Sequence, residues 1–266
     1  MITYPDIDPV AFSMGPLKVH WYGISYLVAF AGCWFFARLK AKQPHMHWTN
    51  QQIDDLLFYG ALGVVLGGRI GYTLFYNLGS FLQDPLILFK IQQGGMSFHG
   101  GLLGVLLAMW LFCKKYHYSF FQVTDFIAIM VPFGLGAGRI GNFINAELWG
   151  RPTDLPWAMI FPTDPLALPR HPSMLYEFFL EGVVMFVILW FYSNKPRPRM
   201  AISGLFLILY SLFRILVEFV RQPDAHMGKG GFIAMDWLTM GMLLSIPMFL
   251  LGVFLFYRAY TAPSEA

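Results

Sequence analysis

VVMFVILWFY, residues 183–192, decides the fold class. A helix on the surface of a soluble protein keeps a polar face, whereas this run is apolar all round, and so, a tyrosine and a serine aside, is LFLILYSL at residues 205–212. Working outward at about 20 apolar residues per span, helices are predicted near Trp21 to Ala37, Ile53 to Tyr76, Met96 to Cys113, Phe121 to Ala137, Met174 to Tyr192, Ile202 to Val220 and Ile233 to Tyr257. The expected architecture is all-α: a polytopic integral membrane protein with about seven transmembrane helices, folded as one domain over residues 1–266. Composition agrees, because 57% hydrophobic against 12% charged residues leaves too little polar surface to coat a soluble globule of 266 residues. Aromatic residues at 18% fit interfacial belts in a lipid bilayer. A formal charge of +3 is too small to imply nucleic acid. Cys33 and Cys113 lie in apolar segments without metal-ligand spacing, so they are expected to be reduced and structural, with no metal site. The amino-terminal MITYPDIDPVAFSMGPLKVH carries acids and prolines where a signal peptide has a basic flank and apolar core, so no cleavage is expected.

Basic residues set the orientation. Arg38, Lys40 and Lys42, then Lys114 and Lys115, then Lys195, Arg197 and Arg199, and finally Arg258 fall on every second side, which the positive-inside rule makes cytoplasmic. The amino terminus is then outside and the carboxyl terminus inside. The far face receives the amino-terminal stretch, Leu78 to Gly95, Arg139 to Pro172 and Arg221 to Phe232. Prolines 152, 156, 162, 165, 169 and 172 break the third of these into a compact extracytoplasmic cap at about 139–172. Glycines 60, 63, 67, 68 and 71, and again 134, 136, 138 and 141, read as close helix packing.

Polar chemistry gathers in four places. GRIGNFINAELWGR, 138–151, puts ionisable groups at the end of an apolar span, where each needs a partner. If the helix continues past Gly138, Arg139 and Asn142 share a face with Asn145 one turn along, a grouping of guanidinium and amides suited to a phosphodiester; Glu147 would alternatively neutralise Arg139. Tyr210, Arg214, Glu218 and Arg221 form one helical stripe, either a self-satisfying ion network or, with two arginines against one glutamate, a positive surplus for an anion. GGMSFHGG, 94–101, sets His99 between glycines as a candidate proton acceptor or a structural residue. RHPSMLYE, 170–177, reads as a helix start at Pro172 and Ser173, with Tyr176 and Glu177 in its first turn. Tyr22, Tyr26 and Arg69 are polar residues in spans with no partner legible from sequence.

These blocks, with HWYGISY at 20–26 and YSLFRILVEFVRQPD at 210–224, make the chain resemble the prolipoprotein diacylglyceryl transferases of the bacterial inner membrane over almost its whole length. The resemblance implies transfer of the diacylglyceryl group of phosphatidylglycerol to the lipobox cysteine thiol of prolipoprotein signal peptides, giving a thioether and glycerol 1-phosphate, without cofactor. It implies essential roles for His99, Arg139 and Arg214, and supporting roles for Tyr22, Asn142, Glu147, Gly150, Tyr210, Glu218 and Arg221. The loop after Phe161 is shorter than in many members, and Met174 and Met242 stand where several carry glutamine. The rival readings are an anionic-lipid transporter or flippase, whose signature of inverted repeats is not seen, and a noncatalytic scaffold.

Overall fold

The structure, a computed structural model, describes residues 2–5, 7–15, 17–90, 94–223, 233 and 237–261. In chain order the elements are β1 (Ile2–Thr3), β2 (Val10–Met14), β3 (Leu17–His20), α1 (Trp21–Ala41), α2 (Asn50–Tyr76), α3 (Leu78–Gln83), a 3-10 segment Pro85–Phe89, α4 (Phe98–Tyr116), α5 (Phe120–Ile144), β4 (Met159–Ile160), β5 (Pro169–Arg170), α6 (Ser173–Glu177), a π-helical segment Phe178–Val184, α7 (Met185–Tyr192), α8 (Ala201–Glu218) and α9 (Met240–Thr261). Helices dominate. With α6, the π segment and α7 forming one continuous rod, seven helices among the described residues are long and apolar enough to cross a membrane.

The predicted spans are all present, and their ends move for local reasons. α2 begins at Asn50 because Thr49 and Gln52 form a reciprocal capping box. α4 begins at Phe98 rather than Met96 because the Ser97 side chain caps the amide of Gly100. α1 runs on to Ala41, with Arg38 and Lys40 in its last turn where the helix dipole favours cations. α9 begins at Met240, not Ile233; of the predicted start, 234–236 lie outside the described residues. So do 91–93 of the Leu78 to Gly95 segment and 224–232 of the Arg221 to Phe232 segment.

The chain divides into two compact units, residues 1–36 with 125–266 and residues 37–124. In the second unit α2 and α4 touch backbone to backbone: a Cβ on Gly63 would lie 2.6 Å from the Gly104 carbonyl oxygen, and one on Gly71 2.7 Å from Gly100 Cα. Arg69, buried in α2, donates to the carbonyls of Ile87 (2.5 Å), Leu88 (3.1 Å), Lys90 (3.0 Å), Gly94 and Gly95 (3.2 Å). Its partners are therefore backbone groups, which the side-chain pattern could not announce.

In the first unit β1 pairs in parallel with β4, which pairs antiparallel with β5, while β2 and β3 form a hairpin. Tyr4, Ala146, Met159, Phe161 and Met174 make a small apolar core under this sheet, and the Tyr4 hydroxyl donates to the Phe143 carbonyl at 2.6 Å. Cys33 is half-buried and Cys113 buried, both as free thiols.

One contact ties α8 to α5. Met200, the N-cap of α8, has no side-chain cap of its own, and Asp125 of α5 takes that place, accepting from Met200 N (2.8 Å), Ser203 N (2.7 Å) and Ser203 Oγ (2.6 Å). Asp125→Ala is expected to cost about 2 kcal/mol, since it strips a cap and strands buried donors. Thermal unfolding in detergent measures this, and an unchanged midpoint would show that the cap carries no weight.

Candidate functional site

The site is built on the end of α5, which continues past Gly138 to Ile144 and so puts Arg139 and Asn142 on one face. The helix then closes with the paired bonds of a Schellman turn, Glu147 N to Asn142 O (3.0 Å) and Ala146 N to Phe143 O (2.9 Å). Ala146 occupies the left-handed position normally given to glycine, with φ at 53°, and Leu148 follows at 60°. Two reversals in three residues fold the chain back, so the Glu147 carboxylate accepts from Asn142 Nδ2 at 2.7 Å, with Asn145 Nδ2 at 3.5 Å. Glu147 therefore steadies the two amides; it is not the counter-ion of Arg139, as the sequence left open.

That counter-ion is Glu177, which sequence reasoning set aside as a first-turn acid. Its carboxylate reaches Arg139 Nε at 2.9 Å, Arg214 Nη1 at 2.5 Å and Arg221 Nη1 at 3.6 Å, so one side chain serves three arginines. Glu218 pairs with Arg214 Nη2 at 2.9 Å along α8, and Glu181, within the π segment, lies 3.5 Å from Arg139 Nη2. The expected surplus of two arginines over one glutamate is thus corrected: Glu177 and Glu181 bring the cluster to three guanidiniums and three carboxylates. Both acids were visible as charges near or within an apolar span, which always demand cationic partners.

Burial, not net charge, makes this cluster suited to an anion. The side chains of Glu177, Glu181 and Glu218 are 1%, 0% and 6% exposed, against 18%, 14% and 13% for Arg139, Arg214 and Arg221. In each pair the carboxylate is the more deeply buried partner and the guanidinium keeps some exposure. Fixed arginines backed by buried carboxylates are preorganised donors for phosphate oxygens.

The segment after α5 locks this arrangement. Gly150 lies between two backbones, bonding through its amide to His171 O at 2.8 Å, and a Cβ there would sit 2.5 Å from Val220 O. Arg151 donates to the Arg221 carbonyl (3.0 Å) and the Glu218 carbonyl (3.3 Å), clamping the end of α8. Asp164 and Arg170, both buried, pair at 2.6 Å, with the Arg170 guanidinium over the Trp149 ring. The guanidinium beside Asp164 holds its carboxyl below the usual carboxylate range. Its contribution to stability is therefore present above the ordinary carboxylate pKa and lost as pH falls through the depressed one. Burial pushes His171 down, and its Nδ1 lies 3.2 Å from the Tyr176 hydroxyl, which also accepts from Trp157 at 2.7 Å.

The other predicted residues fall as follows. Tyr22 packs against Gly141 of α5, with its hydroxyl 3.3 Å from that of Tyr26. Tyr210 is half-buried one turn before Arg214, its ring stacked on Phe206. Ser173, at the start of α6, donates to the Leu148 carbonyl at 2.8 Å instead of capping its own helix. His99 belongs to the second unit, exposed in the first turn of α4 beside Phe98. A separate cleft of about 460 Å³, lined by Ile2, Tyr4, Ile160, Phe161 and Asp164 among others, contains none of the three arginines.

Known proteins resemble this chain closely. A family profile described as prolipoprotein diacylglyceryl transferase matches residues 9–258. A phosphatidylglycerol–prolipoprotein diacylglyceryl transferase of Azotobacter vinelandii is 58% identical over 260 residues, covering 98% of this chain and 97% of that protein. Proteins of the same description from Marinomonas sp. and Coxiella burnetii are 58% identical over 252 residues (95% of this chain, 93% of the relative) and 56% over 260 residues (98% of each).

Proposed function

The chain belongs to the prolipoprotein diacylglyceryl transferase family, and from that premise we propose that Arg139 and Arg214 hold the phosphate of phosphatidylglycerol while a prolipoprotein's lipobox cysteine attacks the glyceryl carbon. The activity is diacylglyceryl transfer to prolipoprotein, catalysed by a multi-pass protein. The observation that carries the residue assignment is the pair of partly exposed guanidiniums joined by the buried Glu177.

The thiol loses its proton to a base, sulfur forms its bond to the glyceryl carbon, and the bond from that carbon to the phosphate oxygen breaks. The electron pair leaves with glycerol 1-phosphate, whose added charge the two arginines stabilise. Displacement at carbon neither oxidises nor reduces, so the chemistry calls for no cofactor. Asn142, Asn145 and Glu147 form the polar wall beside Arg139, with Tyr22 near it; Tyr210, Glu218 and Arg221 support Arg214, and Gly150 supports them through its backbone. His99 is the proposed base, supported by its own setting as an exposed imidazole at a helix start. The chain sits in the bacterial inner membrane in this reading, with its amino terminus periplasmic, its carboxyl terminus cytoplasmic and 139–172 as an outer cap on one polytopic domain. Both substrates arrive through the bilayer.

Purified protein, labelled phosphatidylglycerol and a lipobox peptide test this in single-turnover transfer across a pH series. The wild type is expected to move label to peptide, and His99→Gln and His99→Asn to lose about 100-fold or more together with the rising limb of the pH profile. A wild-type rate and profile in either variant removes His99 as the base. Lipid movement without transfer would favour the transporter.

A further inference from the structure

Arg139 has two carboxylate partners of unequal quality. Glu177 makes an ion pair with its Nε at 2.9 Å and is shared with the other arginines, whereas Glu181 stands 3.5 Å from Nη2. A charge-assisted hydrogen bond is shorter, at about 2.7–2.9 Å. Glu181 is completely buried, and neither of its oxygens accepts a hydrogen bond among the described residues. It is held there by an unusual backbone: it lies in the π-helical segment, where Gly182 meets Gly136 of α5 so closely that a Cβ on Gly182 would lie 2.8 Å from Gly136 Cα. The fold thus brings a buried carboxyl group to 3.5 Å from Arg139 Nη2 without a hydrogen bond between them.

We infer that Glu181 competes with the substrate phosphate for Nη2 of Arg139, and so sets both how tightly the donor lipid is held and how readily glycerol 1-phosphate departs. A phosphodiester oxygen that approaches from the open side offers Nη2 better geometry than Glu181 does. Once the carbon–oxygen bond breaks, the product phosphate carries one more negative charge than the donor and would cling to the same nitrogen. A nearby carboxylate that reclaims Nη2 opposes this. The inference rests on Arg139 binding phosphate.

The test uses the full chain in mixed micelles of varied phosphatidylglycerol content, with glycerol 1-phosphate as competitor. Glu181→Gln is expected to lower the KM for phosphatidylglycerol and the Ki of glycerol 1-phosphate together, each by about fivefold or more. Steady-state kcat is expected to fall by more than the single-turnover rate does. Glu181→Asp, which draws the carboxylate back by one methylene, is expected to shift both constants less and in the same direction, and provides the reading if the glutamine variant does not fold. In an Arg139→Gln background the effect of Glu181→Gln on Ki disappears. Unchanged KM and Ki in Glu181→Gln with a lowered unfolding temperature would make Glu181 merely structural and overturn the inference, while leaving Arg139 in place if Arg139→Gln weakens glycerol 1-phosphate. A wild-type Ki in Arg139→Gln itself would remove the phosphate clamp, and the inference with it.

Discussion

Glu177→Gln is expected to cut diacylglyceryl transfer by about a thousandfold, with a marked fall in thermal stability. The substitution preserves shape and removes one charge at the point where Arg139, Arg214 and Arg221 converge. Breaking a buried ion pair from one side costs about 3–5 kcal/mol, because the partner charge is left uncompensated. Here three guanidiniums would face only Glu181 and Glu218, and would separate. A loss of about 4 kcal/mol in placement of the arginines corresponds to about 10³ in rate. Single-turnover transfer and thermal unfolding measure the two components. A rate within tenfold of wild type and an unmoved midpoint would show that the arginines hold their places without it.

Arg139→Lys is expected to be nearly as damaging, by about 10²–10³ in kcat/KM for phosphatidylglycerol, the scale of losing one preorganised donor to a developing anion. Charge is kept, so the loss isolates geometry. The guanidinium reaches in three directions at once, through Nε to Glu177, Nη2 towards Glu181 and Nη1 to Asn142 at 3.5 Å. An ammonium is a point donor on a flexible stem and does not hold the buried carboxylate while presenting a second nitrogen to phosphate. Activity within a few-fold of wild type would mean that positive charge alone suffices at this position.

The seven spans were legible because hydrocarbon thickness imposes a length that no other constraint imitates. The face shared by Arg139 and Asn142 was legible too, since helical spacing alone determines it once α5 is allowed to continue. Glu177 and Glu181 were not read as site residues because their partners stand on α5 and α8, dozens of residues away, where the three- and four-residue rules have nothing to say. Counting charge along α8 and just past its end, Arg214, Glu218 and Arg221, gave a surplus that Glu177 and Glu181 cancel. The return of Glu147 to Asn142 was hidden for another reason: it depends on alanine and leucine taking left-handed conformations that composition does not advertise. The five strands among the described residues, two to five residues each, are too short to show an alternating pattern.

The tie between Asp125 and the start of α8 gives two of the arginines a common origin. Arg139 stands 14 residues beyond Asp125, and Arg214 stands 14 residues beyond Met200, whose amide Asp125 accepts. At a rise of 1.5 Å per residue each arginine lies about 21 Å from the same knot. The two helices are joined at that knot, and both arginines meet Glu177 at the other end. Two cations carried on separate transmembrane rods therefore arrive level with one another. A single carboxylate near the opposite end of the rods thus sets the register in which the two guanidiniums meet one acid.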